Sequence, residues 1–135
     1  MGRIPAAPSP IPAPAPAPPT IVIREVTVGE RVDGRYTYCF PISRCTRSDG
    51  EVHFVFTAPA DGTVVVTLAW PLDWAGALFA LRLDGVVVPP RPGIWSPLTG
   101  ELRVIAGTRY TIVVSLAGAD EQFEDHPFAL TTVMR

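Results

Sequence analysis

FVFTAPADGTVVVTLAW, residues 54–70, decides the fold class of this chain. Its apolar residues recur at every second position, Phe54 and Phe56 before the break and Val64, Val66, Leu68 and Trp70 after it. A period of two belongs to an extended strand with one buried face, because successive side chains leave opposite sides of the pleat. The break, Ala58-Pro59-Ala60-Asp61-Gly62, joins a proline to an Asp-Gly pair, which suits a tight turn. The stretch thus predicts two strands and a short connection. Val52, Phe54 and Phe56 form the core face of the first strand, and Glu51, His53, Val55 and Thr57 its other face.

The same pattern extends in both directions. TIVIREVTV from Thr20, ALFALRLD from Ala77, ELRVI from Glu101, RYTIVVSL from Arg109 and FALTTVM from Phe128 are short and rich in β-branched and aromatic residues. Their inward sets are Phe79, Leu81 and Leu83, then Tyr110, Ile112, Val114 and Leu116, and finally Phe128 and Leu130. Asp49-Gly50, Asp84-Gly85, Thr99-Gly100 and Ala106-Gly107 read as turns. WAGALFALRL alone leaves room for one helical turn. About eight strands at this spacing predict an all-β antiparallel sandwich of the jelly-roll kind. It occupies residues 20–135 as one domain.

Residues 1–19 differ in kind. Pro5 to Pro19 holds half of the 16 prolines. Proline fixes φ and has no amide hydrogen, so this arm is predicted to be extended polyproline II, a stiff spacer of roughly 50 Å at ~3.1 Å per residue. It reads either as a tether or as an arm that docks on a neighbouring subunit.

The stretch quoted above, with ALFALRLDG at 77–85, SPLTGELRVIAGTRYTIVVS at 96–115 and HPFALTT at 126–132, resembles the bacterial pre-peptidase C-terminal (PPC) domain family. The resemblance covers roughly residues 25 to 133 and leaves the arm outside. It implies a non-catalytic β-sandwich appendage of secreted bacterial proteins that aids binding, solubility or secretion, and some related modules bind calcium. Trp70 resembles the family's core tryptophan and keeps the inward phase of its strand.

Composition excludes several function classes. The net charge is -2 and all 11 basic residues are Arg, dispersed along the chain, so there is no basic footprint for nucleic acid. No apolar run reaches the ~20 residues of a membrane-spanning helix. Met1-Gly2-Arg3-Ile4 does not read as an export signal, so export would use a signal outside this numbering or another route. Cys39 and Cys45 lie in YCFPISRC, a poor match to a four-ligand zinc site and to the C-x-x-C redox motif. A disulfide worth roughly 2 kcal/mol, or two buried thiols, is the reading left. A disulfide requires an oxidising compartment, in agreement with an extracellular, cell-surface or periplasmic location.

Catalysis finds no support in the motifs. His53 falls on an outer strand face and His126 precedes Pro127 in an acidic stretch, and neither belongs to a hydrolase or metalloprotease signature. Both read as solvent-facing or hydrogen-bonded histidines. The expected function is protein–protein assembly as a structural or decorating subunit, with no enzyme activity and no required cofactor. Pro12, Pro14, Pro16 and Pro18 of the arm, with Trp74 and Trp95, form the expected partner contact. The partner would be another protein or copies of this chain. The alternative is a carbohydrate- or surface-binding accessory domain of a secreted hydrolase.

ADEQFEDHP places Asp120, Glu121, Glu124 and Asp125 in one expected loop, and carboxylate oxygens are what calcium requires. The plainer reading is a solvated acidic loop. If calcium binds there, the melting temperature rises on adding calcium and falls with a chelator; an unchanged melting temperature removes the site.

Overall fold

In a computed structural model of the chain, which describes residues 20–38, 49–71, 78–90, 96–118 and 124–135, the period-two segments form strands. They are β1 (Thr20–Glu25), β2 (Arg31–Tyr38), β3 (Asp49–Thr57), β4 (Gly62–Ala69), β5 (Leu78–Leu83), β6 (Val86–Val87), β7 (Leu98–Val104), β8 (Arg109–Gly118) and β9 (Glu124–Met134). One sheet runs β1-β3-β8-β5-β6 and the other β2-β9-β4-β7. The two pack face to face as a β-sandwich, and no helix occurs among the described residues.

The core is the set of inward faces. Phe54, Phe56, Leu81, Ile112 and Val114 from the first sheet meet Val64, Val66, Leu68 and Leu130 from the second, all fully buried. The alternation read from sequence is the observed one, except that Leu116 is only partly buried. Trp70 is buried, as its strand phase required.

Several local expectations need correction. The strands are not all antiparallel, because β1 pairs parallel with β3. The chain crosses to the other sheet for β2 before returning as β3 beside β1, and such a crossover brings the two strands in alongside in the same direction. β2 is an additional strand, and Asp33-Gly34 lies within it. Gly34 sits opposite Phe128 of β9, and a Cβ there would stand 2.5 Å from the ring Cζ. The missing side chain is the space the ring fills. Asp49-Gly50 and Thr99-Gly100 are likewise inside strands. At Gly100 a Cβ would meet Val88 and Leu83 at 2.7 and 2.8 Å, so close packing of side chains against the backbone accounts for that glycine. Asp84-Gly85 is a true turn: both residues have positive φ, 49° and 85°, and they join β5 to β6 as a two-residue hairpin.

The sandwich has two unlike ends. At one, the tight connections 26–30, 58–61, 84–85 and 105–108 close the barrel of side chains. Asp61 Oδ1 accepts from the Ala106 amide at 2.7 Å, and the Tyr110 hydroxyl accepts from the Ile105 amide at 2.8 Å. At the other, β2, β4 and β8 finish and β3, β5, β7 and β9 begin, as the registers Tyr38↔Glu124, Leu68↔Leu98 and Leu78↔Gly118 require. The Tyr36 hydroxyl donates to the Gly50 carbonyl at 2.8 Å, and Trp70 packs on Phe79 with ring centroids 5.2 Å apart, so this end is common to both sheets.

Phe128 is itself caged by Phe54 and Phe79, with centroids 5.9 and 5.4 Å away, and cannot swing freely. Gly34→Ala is therefore expected to destabilise the fold by about 1–3 kcal/mol. Urea unfolding measures this, and Phe128→Leu in the same chain should recover part of the loss; additive effects would mean the two positions do not share this space.

Candidate interaction surfaces

The open end holds strand termini that flank the sequence candidates. Pro12, Pro14, Pro16, Pro18, Cys39, Cys45, Trp74, Trp95, Asp120 and Glu121 lie outside the described residues. Their described flanks are Thr20, Tyr38 with Asp49, Pro71 with Leu78, Pro90 with Ser96, and Gly118 with Glu124. Strand direction puts the strand termini among these at the same end, since Thr20 is paired with Asp49, Tyr38 with Glu124 and Leu78 with Gly118. The expected single acidic loop is corrected in part: Glu124 and Asp125 belong to β9, opposite Tyr38 and Thr37. Among the described residues no three His, Cys, Asp or Glu side chains are grouped to hold a metal ion.

Beside this end the second sheet opens into a cleft of about 600 Å³. Two prolines explain it. The β4–β9 ladder stops at Ala69↔Ala129, just before Pro71 on one strand and just after Pro127 on the other. A proline has no amide hydrogen to carry a ladder onward, so the strands part there. Ala69 and Ala129 leave the floor low, Trp70 and Pro71 stand at one side, and Arg35 stands at the other. Arg31 pairs with Asp33 at 3.2 Å, whereas Arg35 has no ion pair among the described residues. The cleft thus offers a free guanidinium, with donors in a planar fork, next to apolar surface.

Under the open end lies an aromatic layer. Tyr36, Phe79, Trp70, Phe128 and Phe54 contact one another edge to face. His126 lies in this region, across from Tyr36, and is 4% exposed. The expectation of a solvent-facing histidine in a loop fails there, because β9 starts early and turns His126 inward. Its Nε2 and the Trp70 Nε1 are buried without a hydrogen-bond partner among the described residues. The Ser96 hydroxyl instead holds the Trp70 backbone, donating to its carbonyl and accepting from its amide, each at 3.0 Å.

The outer face of the first sheet carries a polar cluster that was not singled out from sequence. Glu51 Oε1 lies 2.9 Å from His53 Nε2, and Glu51 Oε2 accepts from the Arg82 guanidinium. An ionised carboxylate can only accept, so a neutral His53 carries its proton on Nε2. The register sets Val113 between His53 and Arg82, and that residue is buried although it lies on the outer face. The hydrogen bond from His53, assisted by the charge of Arg82, holds the Glu51 carboxyl below its usual pKa against an opposing desolvation effect. His53 was expected on this face as a solvent-facing or hydrogen-bonded residue, and it is hydrogen-bonded. Only i,i+2 spacing linked it to Glu51 in the sequence; Arg82 comes from a strand 31 residues away.

This geometry defines a PPC-like β-sandwich. Among solved structures, the chain matches the pre-peptidase C-terminal domain of a collagenase from Bacillus anthracis with a TM-score of 0.55 at 10% identity, covering 86% of this chain and 97% of that one. It also matches PliG, a periplasmic inhibitor of g-type lysozyme from Aeromonas hydrophila, with a TM-score of 0.47 at 14% identity, covering 86% and 100%. No family model matches the chain, and no curated protein matches it by sequence. The PPC-like fold read from residues 25 to 133 is the observed one.

A carboxyl with a lowered folded pKa contributes stability above its unfolded pKa, and that contribution is lost as pH falls through the folded value. Glu51→Gln is therefore expected to lower the melting temperature at neutral pH, and the gap from the parent chain should close on acidification below the ordinary glutamate range. A gap constant with pH would mean the cluster is electrostatically idle.

Proposed function

We propose that the chain is a non-catalytic, extracytoplasmic module that works by protein–protein assembly, as a structural or decorating subunit. The observation that carries this reading is the convergence on one end: the strand termini that flank the arm and the longer connections stand there, beside the cleft that Pro71 and Pro127 open. The opposite end carries only short connections, tied by their own hydrogen bonds. A surface built this way meets a partner end-on, with Trp74, Trp95 and the arm residues Pro12, Pro14, Pro16 and Pro18 supplying the contact. A Pro-Ala segment presents carbonyl acceptors and few donors, so its natural receptors are grooves with aromatic walls and exposed N–H groups. The extracytoplasmic assignment rests on reading Cys39 and Cys45 as a disulfide and on the PPC-like fold, one solved example of which comes from a collagenase.

A second reading is favoured by the cleft itself. Arg35 beside Pro71, Pro127 and a floor of alanines suits a surface ligand such as a glycan, as in an accessory domain of a secreted hydrolase.

Deleting residues 1–19 separates the two. Assembly through the arm predicts at least a tenfold loss of retention on the partner structure, about 1.4 kcal/mol, with an unchanged melting temperature. Retention on a glycan or cell surface that survives the deletion, and is lost in Arg35→Ala, would replace the first reading with the second.

A further inference from the structure

Sheet edges invite other strands unless charge, proline or shortness blocks them. Among the described residues three edges of this sandwich are blocked. β2 bears Arg31, Asp33 and Arg35 on its outer face, β7 bears Glu101 and Arg103, and β6 is two residues long. The fourth, β1, is different. It pairs with β3 on one side only, and its exposed face carries Ile21 and Ile23, 55% and 66% exposed. Glu25, the first charge on that face, is engaged by Arg109 at 2.8 Å.

The backbone of β1 is available at the same positions. The Val26 amide donates to the Val55 carbonyl of β3 at 3.0 Å. Backbone groups alternate sides along a strand, so those of Val22 and Arg24 face β3, while the N–H and C=O of Ile21, Ile23 and Glu25 face the open edge.

We propose that this edge pairs with the same edge of a second copy, antiparallel and two-fold symmetric, with Val22 opposite Val22 of the other chain. Ile21 then faces Ile23 in both directions. Both residues aim their backbone groups at the edge, as a hydrogen-bonded antiparallel pair requires. Arg24 faces Thr20, so no like charges oppose, and the ladder ends where Pro19, which has no amide hydrogen, meets Glu25. Shifting the centre to Ile23 sets Ile21 against Glu25. A further shift to Arg24 opposes two arginines, and a shift the other way, to Ile21, sets Ile23 against Pro19. Only the Val22-centred register pairs both exposed isoleucines with isoleucine, and this self-complementarity selects a second copy as the occupant. Two five-stranded sheets become one of ten strands, joined by an isologous interface.

Sedimentation velocity on the full chain tests this pairing. The expected species has twice the 14.5 kDa chain mass and dissociates on dilution. Ile23→Lys should weaken it at least tenfold with a melting temperature close to the parent's, because Ile23 is already largely exposed, and Val87→Lys on the opposite edge should leave it intact. Val22→Cys should form an intermolecular disulfide under mild oxidation, beyond any seen in the parent chain, while Ile23→Cys should not. A monomer at every concentration, a dimer indifferent to Ile23→Lys, or crosslinking through position 23 in place of 22 overturns the proposal. The dimer does not need residues 1–19, so their deletion bears on the arm-docking reading alone.

Discussion

The two sheets are locked together at Phe128. Its ring lies where Gly34 has no side chain, between Phe54 of the opposite sheet and Phe79 at the start of β5. Aromatic rings carry large apolar area and pack best edge to face, so one ring touching both layers fixes their spacing and their relative rotation. The neighbouring contacts follow from that constraint. Trp70 packs edge to face on Phe79, Tyr36 reaches Gly50, and Ser96 clamps the Trp70 backbone. The first two tie a strand end of one sheet to the other, and the third joins the ends of β4 and β7 within the second sheet.

Because the lock sits toward one end, the sandwich is asymmetric in what it can expose. Short turns at the far end are tied by Asp61 and Tyr110, which also line a cavity of about 510 Å³ there. The aromatic layer supports the near end from below, so longer connections can emerge there without unsettling the core. The cleft beside it has a local cause: Pro71 and Pro127 end the β4–β9 ladder, while Pro127 keeps its place opposite Arg35 in the β2–β9 pairing. Function on such a scaffold is set by what the end and the edges carry, and the sheets supply rigidity.

The polar cluster on the first sheet shows how little of a site is local. Glu51 and His53 are two apart on one strand and share a face by the pleat alone. Arg82 joins them only because β8 separates β3 from β5 and sets Val113 between them. Similarly, the apolar character of Ile21 and Ile23 is plain in TIVIRE, but nothing there distinguishes an edge strand from a central one. That difference arises from the parallel β1–β3 pairing and from the position of β1 at the end of its sheet.

Strand identity and facing were legible because a period of two is a local property: Phe54, Phe56, Val64, Val66 and Leu68 face inward for the reason their spacing states. Glycine misled at Asp49-Gly50 and Thr99-Gly100. The same absence of a side chain serves a turn or admits a neighbour, and only the neighbour distinguishes them. His126 was misplaced because strand β9 begins before its apolar run, held by pairing with β2. The sequence by itself determined an all-β chain with a PPC-like sandwich fold and the inward faces of its main strands. Tertiary structure alone decided which strands became edges, where the second sheet parts, and which charged groups meet, since each depends on pairing between residues far apart in the chain.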